Sequence, residues 1–190
     1  MSLKARIVHA PWNVGRRHAR SLLVLGAAAG IALAFSVGTG DAGNGRTVKT
    51  AGGEQFVPNA KIMATLRFAP GHLTIGSGET LTLTHGDATD EPHTLSIVNK
   101  DEVPGDVDTV FNCGAPGTVC DDVFSEFPGE PTGSTFVDAA GTGEGIDGRL
   151  DTLFIVPGES ISEPVTAPSG STLYFICAIH AWMQGEIDVK

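Results

Sequence analysis

An antiparallel β-sandwich of Greek-key type is the fold this sequence predicts for its body. Short stretches alternate between apolar and polar residues, Gly, Pro and Asp punctuate them, and no sustained helical period appears after residue 40. Composition agrees. Among 190 residues, 25 Gly and 11 Pro favour many turns over a helical bundle. With 41% hydrophobic and 18% charged side chains, the chain is too apolar to be disordered and long enough to bury a core.

The first forty residues read as an address. Residues 21–40, SLLVLGAAAGIALAFSVGTG, carry no charge and follow the basic stretch GRRHAR. Those flanking arginines favour membrane targeting over a buried core helix. Ala32-Leu33-Ala34 offers a small-x-small cleavage site, the mark of a signal peptide. Left uncut, the run 21–38 is just long enough to anchor the chain in a bilayer. Either way the body is expected outside the cytoplasm: periplasmic, secreted or anchored to the outer face of the membrane. Residues 41–54, rich in Gly, read as a linker, and the folded domain is expected over 55–190.

Within the domain the strand signals come in order. Lys61–Phe68 ends at Ala69-Pro70-Gly71, and His72–Ile75 ends at Gly76-Ser77-Gly78. Glu79–His85 puts Leu81 and Leu83 on one face and Thr80, Thr82 and Thr84 on the other. His93–Val98 aligns His93, Leu95 and Ile97. Asp151–Val156, Ser171–Cys177 and Gly185–Val189 complete the set. Residues 99–148, rich in Gly, Pro and acids, break the rhythm. They read as an insertion with room for a short helix or strands of its own.

Three cysteines leave an odd thiol. Cys113 and Cys120 bracket CGAPGTVC, and outside the cytoplasm such a pair is expected as a disulfide fixing the insertion. The competing reading, a metal pair, lacks neighbouring histidines. Cys177 falls on the same strand face as Leu173 and Phe175, so an inert buried thiol is its plain reading. However, His180 follows three residues later and Met183 three after that, within one loop between two strands. Thiolate, imidazole and thioether are donors that copper selects. His93, opening a strand whose other inward residues are apolar, supplies the second imidazole. Two His and one Cys around one ion, with a weaker Met, compose a blue-copper donor set. Zinc accepts the same ligands but gains little from the thioether. His72 and His85 are expected to be structural or solvated, and His9 and His18 lie in the targeting segment.

These motifs resemble those of the cupredoxins of the plastocyanin, amicyanin and pseudoazurin kind. The matching stretches are Gly78–Leu83, Glu91-Pro92-His93-Thr94, and Tyr174–Cys177 through Met183-Gln184-Gly185. The likeness covers about residues 55–100 and 150–190 and leaves the insertion unmatched. Thr94 stands where many members have Asn or Ser, and Ala178-Ile179 replaces a Pro often found in the ligand loop. The resemblance implies one type 1 copper ion held by His93, Cys177, His180 and Met183. It also implies single-electron transfer between redox partners, with His180 and Trp182 beside it as the electron port. A copper carrier that delivers the ion without redox cycling is the alternative. Copper enzymes need additional histidine clusters, and only four histidines remain in the body, so no enzymatic activity is expected.

Charge narrows the partners. Lys4, Arg6, Arg16, Arg17 and Arg20 precede position 21, and no Asp or Glu precedes Asp41. Residues 41–190 therefore carry all 22 acids against 7 bases. Such a body repels phosphate backbones, which excludes nucleic acid. The acids around Asp87–Asp108 and Asp121–Glu130 read as a solvated face, able to steer a basic redox partner such as a cytochrome or a membrane-bound oxidoreductase.

Overall fold

The computed structural model describes residues 46–139 and 143–190. The targeting segment, its cleavage site and residues 41–45 lie outside that range. Among the described residues no helix is long and apolar enough to cross a membrane. In chain order the strands are β1 (Arg46–Ala51), β2 (Glu54–Val57), β3 (Lys61–Ala64), β4 (Arg67–Ala69), β5 (His72–Ile75), β6 (Thr80–Thr84) and β7 (His93–Val98). There follow β8 (Thr135–Val137), β9 (Thr152–Ile155), β10 (Ser160–Pro164), β11 (Thr172–Ile176) and β12 (Gln184–Val189). Helices α1 (Val107–Phe111) and α2 (Val119–Ser125) lie between β7 and β8.

Two sheets face each other. One runs β10-β6-β1-β4, the other β5-β12-β11-β7-β9-β8, and β2 and β3 form a separate hairpin. Named strands pair antiparallel except β1 with β6 and β12 with β5. The chain crosses between sheets repeatedly, at β5 to β6, β6 to β7 and β9 to β10, as a Greek key requires.

The alternation in the sequence fills the space between the sheets. Leu81 and Leu83 of β6 are fully buried while Thr80, Thr82 and Thr84 face outward. Opposite them lie Leu95, Leu153, Ile155 and Phe175, and Phe68 of β4 meets Phe175 of β11 edge-on at 5.0 Å between ring centroids. Gly185 is fixed by this packing. A Cβ there would fall 2.3 Å from Phe175 Cζ and 2.4 Å from the Gly71 carbonyl oxygen.

Three sequence expectations change. Residues 46–51 are no linker: β1 lies between β6 and β4, with Val48 and Thr50 fully buried. Its RTVKTA pattern does alternate, but basic outward residues and flanking glycines concealed it. The domain therefore includes Arg46 onward rather than starting at 55. The stretch Lys61–Phe68 is two strands, because Thr65 turns the chain with backbone and hydroxyl hydrogen bonds to Gly53. Strand β10, SISEP, was also hidden; it is an edge strand, where Pro164 removes no needed donor.

The insertion is built into the domain. Cys113 and Cys120 form a disulfide. Arg149 donates to both Glu102 carboxylate oxygens at 2.8 and 2.9 Å and to Asp122 at 2.5 Å, tying the start of the insertion to α2. Strand β8 extends the six-stranded sheet beside β9. A second apolar cluster joins Val119, Cys120 and Val123 to Val98, Ile176, Ala178 and Ala181. That layer covers the outer face of β7, and all six of its residues are buried.

Gly185→Ala is expected to destabilise the protein by about 1–3 kcal/mol, because overpacking here meets backbone as well as a ring. Urea unfolding measures it, and an unchanged midpoint would disprove the close approach.

Candidate metal centre

Strand pairing places the ligand candidates before any side chain is considered. β7 and β11 are antiparallel neighbours, with Ile176 opposite Ser96 and Phe175 opposite Ile97. The start of β7 and the end of β11 therefore meet at one end of the sandwich, bringing His93 beside Cys177. The chain then turns back into β12, and two backbone hydrogen bonds pin the turn. Met183 N–H donates to the His180 carbonyl at 2.7 Å, and Cys177 N–H donates to the Met183 carbonyl at 2.9 Å.

Three donor atoms converge there. Cys177 Sγ lies 3.8 Å from His93 Nδ1 and 3.7 Å from His180 Nδ1, and the two Nδ1 atoms are 3.1 Å apart. A point equidistant from all three lies about 2.1 Å from each, the length of a metal–imidazole bond. His93 and Cys177 are fully buried and His180 is 5% exposed. Met183, also fully buried, belongs to the same core cluster as Cys177. The sequence-derived ligand residues thus form one cluster.

Each imidazole turns its outer nitrogen to a carboxylate. His93 Nε2 is 2.9 Å from Asp87 Oδ2, and His180 Nε2 is 2.8 Å from Glu91 Oε2. The first contact is close without hydrogen-bonding alignment, so charge rather than a directed bond carries it. A carboxylate beside each outer nitrogen favours the proton there, which leaves the Nδ1 lone pairs facing each other and the sulfur. Buried donors so arranged repel unless a cation sits among them, so the residues fit a metal ion. One soft thiolate, two imidazoles and a thioether fit copper.

The sulfur is prepared as a ligand. Burial opposes its ionisation, and the Thr94 N–H, which donates to Sγ, favours it. Thr94 ties the two ligand segments together. Its N–H donates to Cys177 Sγ at 3.4 Å, and its hydroxyl oxygen accepts from Ala178 N–H at 2.7 Å and from Ser96 Oγ at 3.0 Å. A threonine here does the tying through its hydroxyl.

Other residues fall outside the donor triangle. His72 pairs with Asp188 on the surface at 3.1 Å. His85 packs 5.6 Å from the His93 ring, with its Nε2 3.1 Å from the Glu91 carbonyl oxygen. Trp182 is 39% exposed and stands edge-on to His180 at 5.3 Å. Asp87 corrects the reading of 87–108 as a solvated acidic face. Its side chain is fully buried. Burial opposes its charge, but hydrogen bonds from Thr50 and Thr89 and the nearby His93 outweigh this and push it down to about 2. Sequence reasoning missed Asp87 and Glu91 as neighbours of the site; their only signal was position, six and two residues before His93.

No protein-family model matches the sequence, and no curated protein does. Solved structures that it resembles include a purple cupredoxin from Nitrosopumilus maritimus, 14% identical over 76% of this chain and 99% of that one, with a TM-score of 0.41. Auracyanin A from Chloroflexus aurantiacus is 18% identical over 76% and 98%, with a TM-score of 0.40. An auracyanin from Roseiflexus castenholzii is 21% identical over 76% and 96%, with a TM-score of 0.39. The donor triangle and the strand topology, not these likenesses, define the centre.

Replacing Thr94 by Val strands the Ala178 N–H in a buried place and is expected to cost about 1–3 kcal/mol in the metal-free protein. Thr94→Ser should recover most of it. Denaturation curves superimposable on the unsubstituted protein would contradict the tie.

Proposed function

We propose that this chain is a type 1 copper protein that passes single electrons between redox partners outside the cytoplasm. One observation carries the reading: a buried thiolate candidate and two imidazole nitrogens within 3.8 Å of one another, beside a fully buried methionine. A copper ion held there supplies one-electron cycling between Cu(II) and Cu(I). His93, Cys177 and His180 would be its strong ligands and Met183 the weak one. Because strand pairing and backbone hydrogen bonds fix these side chains, little rearrangement would accompany the change of charge. Burial also favours electron transfer over delivery of the ion, since an exchanging carrier needs an open site. The Cys113–Cys120 disulfide supports an oxidising compartment.

The route to a partner is best read through Trp182. His180 is nearly covered and its outer nitrogen is taken by Glu91, while the Trp182 ring reaches solvent. It lines an apolar groove with Ile62, Val107 and Phe111, bordered by Glu54 and Asp106. An apolar contact rimmed by acids, on a body with 22 acids and 7 bases over 41–190, fits a basic redox protein.

Adding Cu(II) to the purified protein is expected to give an intense visible band that Cys177→Ser abolishes. A band that survives the substitution would remove Cys177 from the centre. Met183→Leu should keep the band and raise the reduction potential; an unmoved potential would show that Met183 is no ligand.

A further inference from the structure

We infer that Asp87 and Glu91 set the reduction potential, Glu91 by holding the outer nitrogen of His180 and Asp87 by placing a buried charge beside that of His93, both biasing the centre toward Cu(II). The inference rests on the copper reading above and adds what selects between its two oxidation states.

The carboxylate of Asp87 is split between two tasks. Its Oδ1 accepts from the Thr89 N–H at 2.9 Å and the Thr89 hydroxyl at 2.5 Å, which anchors the group. Its Oδ2 is left facing His93 Nε2 at 2.9 Å. The loop that carries Asp87 is itself tied to β1, where Gly86 N–H donates to Thr50 Oγ1 at 3.0 Å. His85 stands on the other side of the same oxygen, 3.7 Å away. Glu91 reaches His180 from the segment just before β7, and Glu54 of the hairpin lies in the same cluster. For His180, holding the imidazole by its outer N–H orients the ring and makes its inner nitrogen a stronger donor. Negative charge nearby also favours the ion of higher charge, and this electrostatic effect depends on distance rather than on bond alignment.

The two carboxylates differ in one decisive respect. The Asp87 side chain is fully buried, whereas that of Glu91 is 48% exposed. Asp87 therefore acts in a low dielectric, and Glu91 acts through solvent that salt can screen. The larger, salt-independent contribution belongs to Asp87.

The test compares the unsubstituted protein, Asp87→Asn and Glu91→Gln by spectroelectrochemical titration at low and high salt. In Asp87→Asn the preference for Cu(II) over Cu(I) should fall about tenfold with the visible band retained, a rise of about 59 mV. Glu91→Gln should raise the potential less, by an amount that shrinks at about 1 M salt. A metal-free readout is independent of the loaded centre. Long-range proton–nitrogen correlation spectra should find His93 and His180 protonated on Nε2, with that bias weakened in the matching variant. Potentials unmoved or lowered in both variants, or a proton on Nδ1 of His93, would overturn the inference. Should Asp87→Asn fail to fold, the exposed Glu91→Gln decides alone, and no shift there overturns it. Absence of the band in the unsubstituted protein would fail the copper reading instead, and the metal-free spectra would still decide this one.

Discussion

Everything at this centre depends on forcing three electron-rich atoms together inside a β-sandwich. A thiolate and two nitrogen lone pairs do not gather of their own accord, and burying them raises the cost. The fold meets that cost with contacts made elsewhere: the β7–β11 pairing, the two backbone hydrogen bonds that close the Cys177–Met183 turn, and the Thr94 tie. Outside the triangle, a carboxylate beside each imidazole favours a proton on the outer nitrogen rather than the inner one. The result is a set of ligands oriented by the protein before any ion arrives, which is what an electron carrier needs if its geometry is to suit two charge states.

Much of this was legible in the sequence, for identifiable reasons. Cys177, His180 and Met183 are close in the chain, so their convergence needs only a loop. His93 was legible because it opens an alternating strand that must place it at the sandwich rim. The strands around Leu81, Leu95 and Phe175 announced themselves through period-two alternation of apolar residues. What escaped notice depends on long-range pairing. Strand β1 carries only Val48 and Thr50 inward, and its central place comes from partners more than fifteen residues away. Strand β10 is an edge with polar residues and a proline. Asp87 looked like one acid among many, because nothing local announces that a carboxylate will be sealed beneath Thr50 and Thr89.

The insertion changes the character of the sandwich. An ordinary sheet of this kind keeps one face wet, yet Thr94 and Ser96 on the polar face of β7 are fully buried. Here α2 and the disulfide lie over β7 and β11, and the second apolar cluster reaches Ala178 and Ala181 of the ligand turn. Gln184 adds a polar link, donating from Nε2 to the Pro104 carbonyl at 2.8 Å and to that of Ala181 at 2.9 Å. The segment without counterpart in the family resemblance therefore braces the very turn that carries three of the four candidate ligands.

Because β7 is sealed on both faces, its amide protons have no local route to water. Their exchange with deuterium is then gated by opening of the whole domain, while the exposed hairpin β2–β3 can fray independently. The strand that opens with His93 would thus be the last part of the molecule to loosen, keeping a ligand in place through fluctuations that disturb the periphery.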